Sequence, residues 1–342
     1  MCQRYQVDYY DQHILMIRAS KMSKFNYRTK ALTPFILAMT GCCFSSTVFA
    51  DQRVQIEFSA QISGQEFACG KEYSGIGTTG STITPSDFRF FISKVALLDE
   101  NGIATPLELD QDGIWQYQDI VLLDFEDGSG PCQNGNSAIN ATIDGVIADG
   151  QYTGIEFTMG LPFELNHEDI LLAPSPLNLS AMFWNWQGGH RFFKVDMASS
   201  GRPVPAPGQG KAMSAMMKPA ASAASGGMMR RGSGEEEEAA GFSVHIGSTG
   251  CAAESRTNAP ISECMNPNQV KVNFDEFDSN QHKIVADIGA LLKNTNVDVN
   301  TDETAPGCMS GIRDPECAQI LPAFGFAFDG QPANSQQLFH RQ

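Results

Sequence analysis

The sequence predicts a mainly β fold, a β-sandwich with a short helix near the C-terminus and a long disordered insertion. Three observations predict it. Apolar residues recur with a period of two in many short runs, turn signals separate those runs, and residues 199–240 lack the side chains that build a core.

The first fifty residues read as a leader. From Met22 a basic start (Lys24, Arg28, Lys30) passes into an apolar stretch over residues 35–39. A small-residue exit follows at Val48, Phe49 and Ala50. This is the pattern of a secretory signal, with translation from Met22 and cleavage after Ala50. A rival cut after Gly41, where Met39 and Thr40 precede Cys42 as a weak lipobox, gives a lipid-anchored form. Either route exports the protein, and a periplasmic location is expected.

The remainder, residues 51–342, sheds six basic residues (Arg4, Arg18, Lys21, Lys24, Arg28, Lys30) and two acidic ones (Asp8, Asp11). It keeps 17 basic against 37 acidic residues, a net charge of −20. So acidic a chain argues against nucleic acid or an anionic membrane as partner and suits cations or a basic protein. Its six cysteines are Cys69, Cys132, Cys251, Cys264, Cys308 and Cys317. An even number in an oxidising compartment, with no C-x-x-C pair to hold a metal, predicts three disulfides, Cys251–Cys264 and Cys308–Cys317 among them.

The strands follow in order. Val54, Ile56 and Phe58 alternate, as do Phe88, Phe90 and Ile92 and then Val95 and Leu97, before a turn at Asp99, Glu100, Asn101 and Gly102. Trp115, Tyr117, Ile120 and Leu122 continue the pattern into an acidic loop over residues 124–128. That loop lacks the spacing of an EF-hand and reads as a solvated turn rather than a calcium site. Residues 152–159 form another strand, and His167 lies beyond it in a polar loop, read as solvated.

Residues 177–186 read as a strand with Leu177, Leu179, Ala181 and Phe183 on one face and Met182, Trp184 and Trp186 on the other. Gly188 and Gly189 break it, and His190 follows at once. Core aromatics beside a bulge account for the pattern, as does a site that joins an oxidisable indole, a thioether and an imidazole. Residues 199–240 are then rich in Ala, Gly, Ser, Pro and Met and end in the acidic run at residues 235–238. Five methionines there (Met213, Met216, Met217, Met228, Met229) carry the soft sulfur that Cu(I) prefers, though low-complexity drift explains them too.

After the insertion Phe242, Val244 and Ile246 share a strand face, which leaves Ser243 and His245 on the other, and glycines at 247 and 250 turn the chain into Cys251. A lone strand histidine is usually structural. His190 and His245, however, flank one insertion and can be neighbours across a long hairpin, and neutral imidazoles are common copper and zinc ligands. Residues 270–274 give a further strand and residues 284–292 a short helix with Val285, Ile288, Leu291 and Leu292 on one side. Enzyme signatures are missing: there is no G-x-S-x-G elbow, no H-E-x-x-H and no phosphate loop. A secreted adhesion or carbohydrate-binding module without metal is the plain alternative for such a chain.

The ordered set FRFFISKVALLDENG, WQYQDIVLLDFEDGSGPC, YTGIEFTMGLPFELNHED, SPLNLSAMFWNWQGGHRFFK, VHIGSTGC and GCMS with the later Cys317 resembles the MbnP-like family, the metallo-mystery pair four-Cys proteins. The resemblance implies a non-enzymatic periplasmic protein that binds copper. It also implies a partner, a di-haem cytochrome c peroxidase-like protein of MbnH type, that oxidises a tryptophan to kynurenine. Carried onto this chain, the M-x-W-x-W segment falls on Met182, Trp184 and Trp186 and the H-x-G-S-T-x-C segment on residues 245–251. Trp184 and Trp186 are the candidates for oxidation, and His245, His190 and Met182 the candidate copper ligands.

Overall fold

A computed structural model describes residues 50–201, 241–255, 257–330 and 332–342. The leader and nearly all of the predicted insertion, with its methionines, lie outside the described residues. Two sheets share one core, as the alternating runs predict. The first runs Phe339–Arg341, Ile284–Asp287, Asp51–Ile62, Thr142–Ala148, Glu108–Leu109, and the second runs Phe242–Ile246, Phe193–Ser199, Ser81–Leu98, Gly154–Met159, Val270–Phe274. Inward residues of both pack together, with Phe58 of the first sheet 5.8 Å from Phe157 and 6.1 Å from Phe90 of the second.

The organising element is the 18-residue strand Ser81–Leu98. On one edge it pairs first with Phe193–Ser199 and then with Gly154–Met159. On the other it holds Ile120–Asp124 and the short strand Ala104–Pro106. Phe88 and Phe90 point into the core, so Asp87, Arg89 and Phe91 take the outer face.

That outer face carries an unusual load of charge. Cross-strand register sets Asp124, Arg89, Lys194 and His245 in one row across four neighbouring strands, with Asp87 opposite Asp196 one step along. Arg89 lies 3.1 Å from Asp124 and 3.4 Å from Asp87 and also pairs with Glu126, while Lys194 joins Asp87 to Asp196. Arg89, Asp87 and Glu126 have no exposure at all. Buried charges persist only when each finds partners, and here the alternating pairs supply them.

The acidic loop is therefore not the solvated turn expected from sequence. Asp124 and Glu126 turn inward to Arg89, and Asp127 alone of its carboxylates stays in water. Disulfides join Cys69 to Cys132, Cys251 to Cys264 and Cys308 to Cys317, two of them as expected, and the first ties this loop to the chain before Tyr73.

Two further expectations change. Residues 284–287 are strand, and only Ile288–Leu292 is helix. Ile284 and its successors pair in parallel with Phe58 to Gln61, and Asp287 caps the helix by accepting from the backbone N–H groups of Gly289 and Ala290. Pairing thus overrides the helical period. Residues 177–186 are not one strand: turns lead to a 3-10 turn at Ser180–Met182, and only Phe183–Asn185 is extended, paired with Gly189–His190. This segment lies across the outer face of the second sheet, where Leu177 and Met182 fill a satellite core with Phe91, Leu122 and Phe192.

Candidate functional site

The strands Phe193–Ser199 and Phe242–Ile246 form the expected hairpin, with Lys194 opposite His245 and Met197 opposite Phe242. Phe242, Val244 and Ile246 are in the core and His245 is on the outer face, 8% exposed. Its Nε2 lies 2.7 Å from Asp196 Oδ1, and its Nδ1 accepts from Arg191 Nε at 3.3 Å. Arg191 has only protons to offer, so the neutral ring carries its own proton on Nε2 and donates it to Asp196.

Charge follows from these contacts. Burial, aided by the cations of Arg191 and Lys194, lowers the pKa of His245, although Asp196 works against the shift. Burial alone would raise the carboxyl of Asp196, but His245 and Lys194 hold it well below the usual carboxylate range. With His245 neutral, the standing positive charge is Lys194, 2.7 Å away. Asp124, by contrast, is pushed up to about 6, chiefly by burial.

Arg191 links this imidazole to an indole. Its guanidinium carbon stands 5.5 Å from the centroid of the Trp184 ring, a cation–π contact, and Arg191 Nη1 donates to the carbonyl oxygens of Ala181 and Phe183. Trp184 also lies against Gly247, two residues past His245. A Cβ at Gly247 would stand 2.7 Å from Trp184 Cζ3 and 2.6 Å from the His190 carbonyl oxygen, so only glycine lets the indole approach this backbone.

The other predicted residues are placed differently. His190 is fully buried, with Nδ1 2.8 Å from the Asn166 carbonyl and Nε2 2.8 Å from the Leu177 carbonyl. Both nitrogens are spent on backbone, and burial lowers its pKa. Gly189 before it, at φ +73°, passes so close to Asn166 that a Cβ would stand 2.5 Å from its carbonyl oxygen. Met182 is buried in the satellite core. Trp186 meets Phe183 edge-on at 6.2 Å, and its carbonyl faces His167 Nδ1 at 3.3 Å. His167 itself is buried rather than solvated.

The sequence reading missed Asp196 and Arg191. Val244 bridges in parallel to Cys308, and His245 N–H donates to the Cys308 carbonyl. Asp196 was legible in principle, as the polar residue between Val195 and Met197 on a strand expected to pair with His245.

His245 donates one N–H to a carboxylate, the arrangement that fixes the tautomer of metal-bound histidines, and its Nδ1 lone pair accepts from Arg191. Imidazole nitrogen with thioether sulfur suits copper, above all Cu(I).

No curated protein matches this chain. Among solved structures, MbnP from Methylosinus trichosporium is similar, at 27% identity and a TM-score of 0.68, with 85% of this chain and 98% of that chain covered. A sequence model described as MbnP matches residues 51–310. The chain belongs to the MbnP family.

Proposed function

We propose that this is a periplasmic copper-binding protein and not an enzyme. In this reading His245 holds the metal, and Trp184 is oxidised to kynurenine by a di-haem cytochrome c peroxidase-like partner of MbnH type. The observation that carries the reading is the contiguous set Trp184, Arg191, His245 and Asp196. Indole is readily oxidised, and opening its pyrrole ring leaves a ketone oxygen and an aniline nitrogen on a side chain already beside the imidazole. Copper bound there supplies a soft cation for storage or transfer. The chain's own part is to hold the ring of His245 rigid through Asp196, to keep Nδ1 unprotonated and to seat the indole on Gly247.

Trp184 is preferred to Trp186 because only Trp184 contacts the Arg191 that touches His245. Met182 and His190 are braced in the fold and take no part in this reading. Replacing His245 with Ala is expected to weaken copper binding by more than about tenfold, since a lost ligand costs at least as much as the loss of an outer-shell partner. Competition titration with a chromophoric chelator measures it, and unchanged affinity would remove His245 from the site.

A further inference from the structure

We propose that His167, Cys251 and Cys264 form a second metal site, selective for a soft monovalent cation of the Cu(I) type, which the Cys251–Cys264 disulfide closes and a dithiol reductant opens. Nε2 of His167 and the two Sγ atoms lie within 4.8 Å of one another, and all three residues are buried. Nδ1 of His167 faces the Trp186 carbonyl at 3.3 Å and so carries the ring proton. The lone pair on Nε2 then faces inward, 3.0 Å from Asn166 Nδ2 and 3.6 Å from Cys264 Sγ. Asn166 Nδ2 donates into that lone pair, so an incoming ion displaces the amide, and burial, which lowers the pKa of His167, keeps Nε2 unprotonated.

The disulfide occupies the sulfur electrons that a cation would use. A dithiol gives up two electrons and two protons, becoming its own cyclic disulfide, and leaves Cys251 and Cys264 as thiols. Binding of Cu(I) by the two sulfurs and Nε2 then releases both thiol protons. The movement needed is small: about 2.3 Å to each sulfur and about 2.0–2.1 Å to nitrogen are typical metal distances for such ligands. Two thiolates and an imidazole make a soft donor set, and the Trp186 carbonyl holds the imidazole as outer-shell partners do. The cluster of Cys69, Cys132 and Asp127 lacks this character, because its third member is an exposed carboxylate engaged with Ser129.

This site shares no ligand with the one on His245, and the two are separable by experiment. Residues 51–342, reduced with dithiothreitol and desalted without oxygen, are titrated with Cu(I) against bicinchoninate beside the oxidised chain. The reduced chain is expected to take up one ion more than the equally reduced double variant Cys251→Ser/Cys264→Ser. That ion should be held at least about tenfold more weakly in His167→Ala, and kept in His245→Ala. Thiols from the other two disulfides are present in the parent and in His167→Ala alike, so copper held there does not distinguish them. Equal uptake by the reduced chain and the equally reduced double serine variant, or an affinity of the difference ion that is indifferent to His167→Ala, would overturn the proposal.

Discussion

The two nitrogens of His245 meet opposite charges, a carboxylate at Nε2 and a guanidinium at Nδ1. Its pKa, like those of His190 and His167, is lowered, with burial the largest cause in each. The unfolded chain takes up protons on these rings near pH 6.5 while the folded chain does so only at lower pH. Stability is therefore fullest above about pH 6.5 and is lost as pH falls from there through the folded values, by about 1 kcal/mol or less per histidine on reaching pH 6. Asp124, raised to about 6, has the opposite slope below that value, so the clearest window is pH 7 to 6. Thermal melting is expected to drop across it and to drop less in His245→Gln; a midpoint that rises on acidification would contradict the assignment. The face of His245 was legible because it sits between two apolar residues on a strand. Asp196 was legible only through the expected hairpin, and Arg191 was not, since it meets the ring only through the pairing of strands separated by the insertion.

The hairpin of Phe193–Ser199 and Phe242–Ile246 brings the ends of the insertion together. Met197 pairs with Phe242, so the chain leaves and re-enters the sheet at one end of a continuous ladder. Replacing residues 202–240 with a short Gly/Ser linker is expected to leave the melting temperature within a few degrees, because closing a long loop differs little in entropy from closing a short one. A fall of ten degrees or so would mean that the segment contributes packing, as each lost kcal/mol costs about 2–4 °C in a domain of this size. Period-two patterning predicted Asp51–Ile62, Ser81–Leu98, Gly154–Met159, Phe242–Ile246 and Val270–Phe274 well. It failed over residues 177–186, where Leu177 and Met182 are buried by covering a sheet and not by joining one. It also missed the helix Cys317–Ala323, whose Pro322 and short apolar run gave no helical period.

Across the whole molecule, the second sheet serves as core wall on one face and as a charged platform on the other. Three buried carboxylates (Asp87, Asp124, Glu126) and the partly exposed Asp196 surround Arg89 and Lys194, and that network holds the outer face of the hairpin rigid behind His245. Fold class and disulfides were legible from alternation and cysteine number, because both are local or compositional signals. The charged platform was not, since its members come from strands far apart in the chain and each reads alone as an ordinary surface residue. Beside that platform Arg191 and Gly247 seat the Trp184 indole, and the central claim of the proposed function is that this seat decides which tryptophan is oxidised. Peptide mass spectrometry after co-expression with the di-haem partner tests it most directly. A gain of about 4 Da, the change from indole to kynurenine as a covalent modification, is predicted on the peptide that carries both residues, with fragmentation placing it at Trp184. An unmodified peptide, or a gain confined to Trp186, would contradict the account.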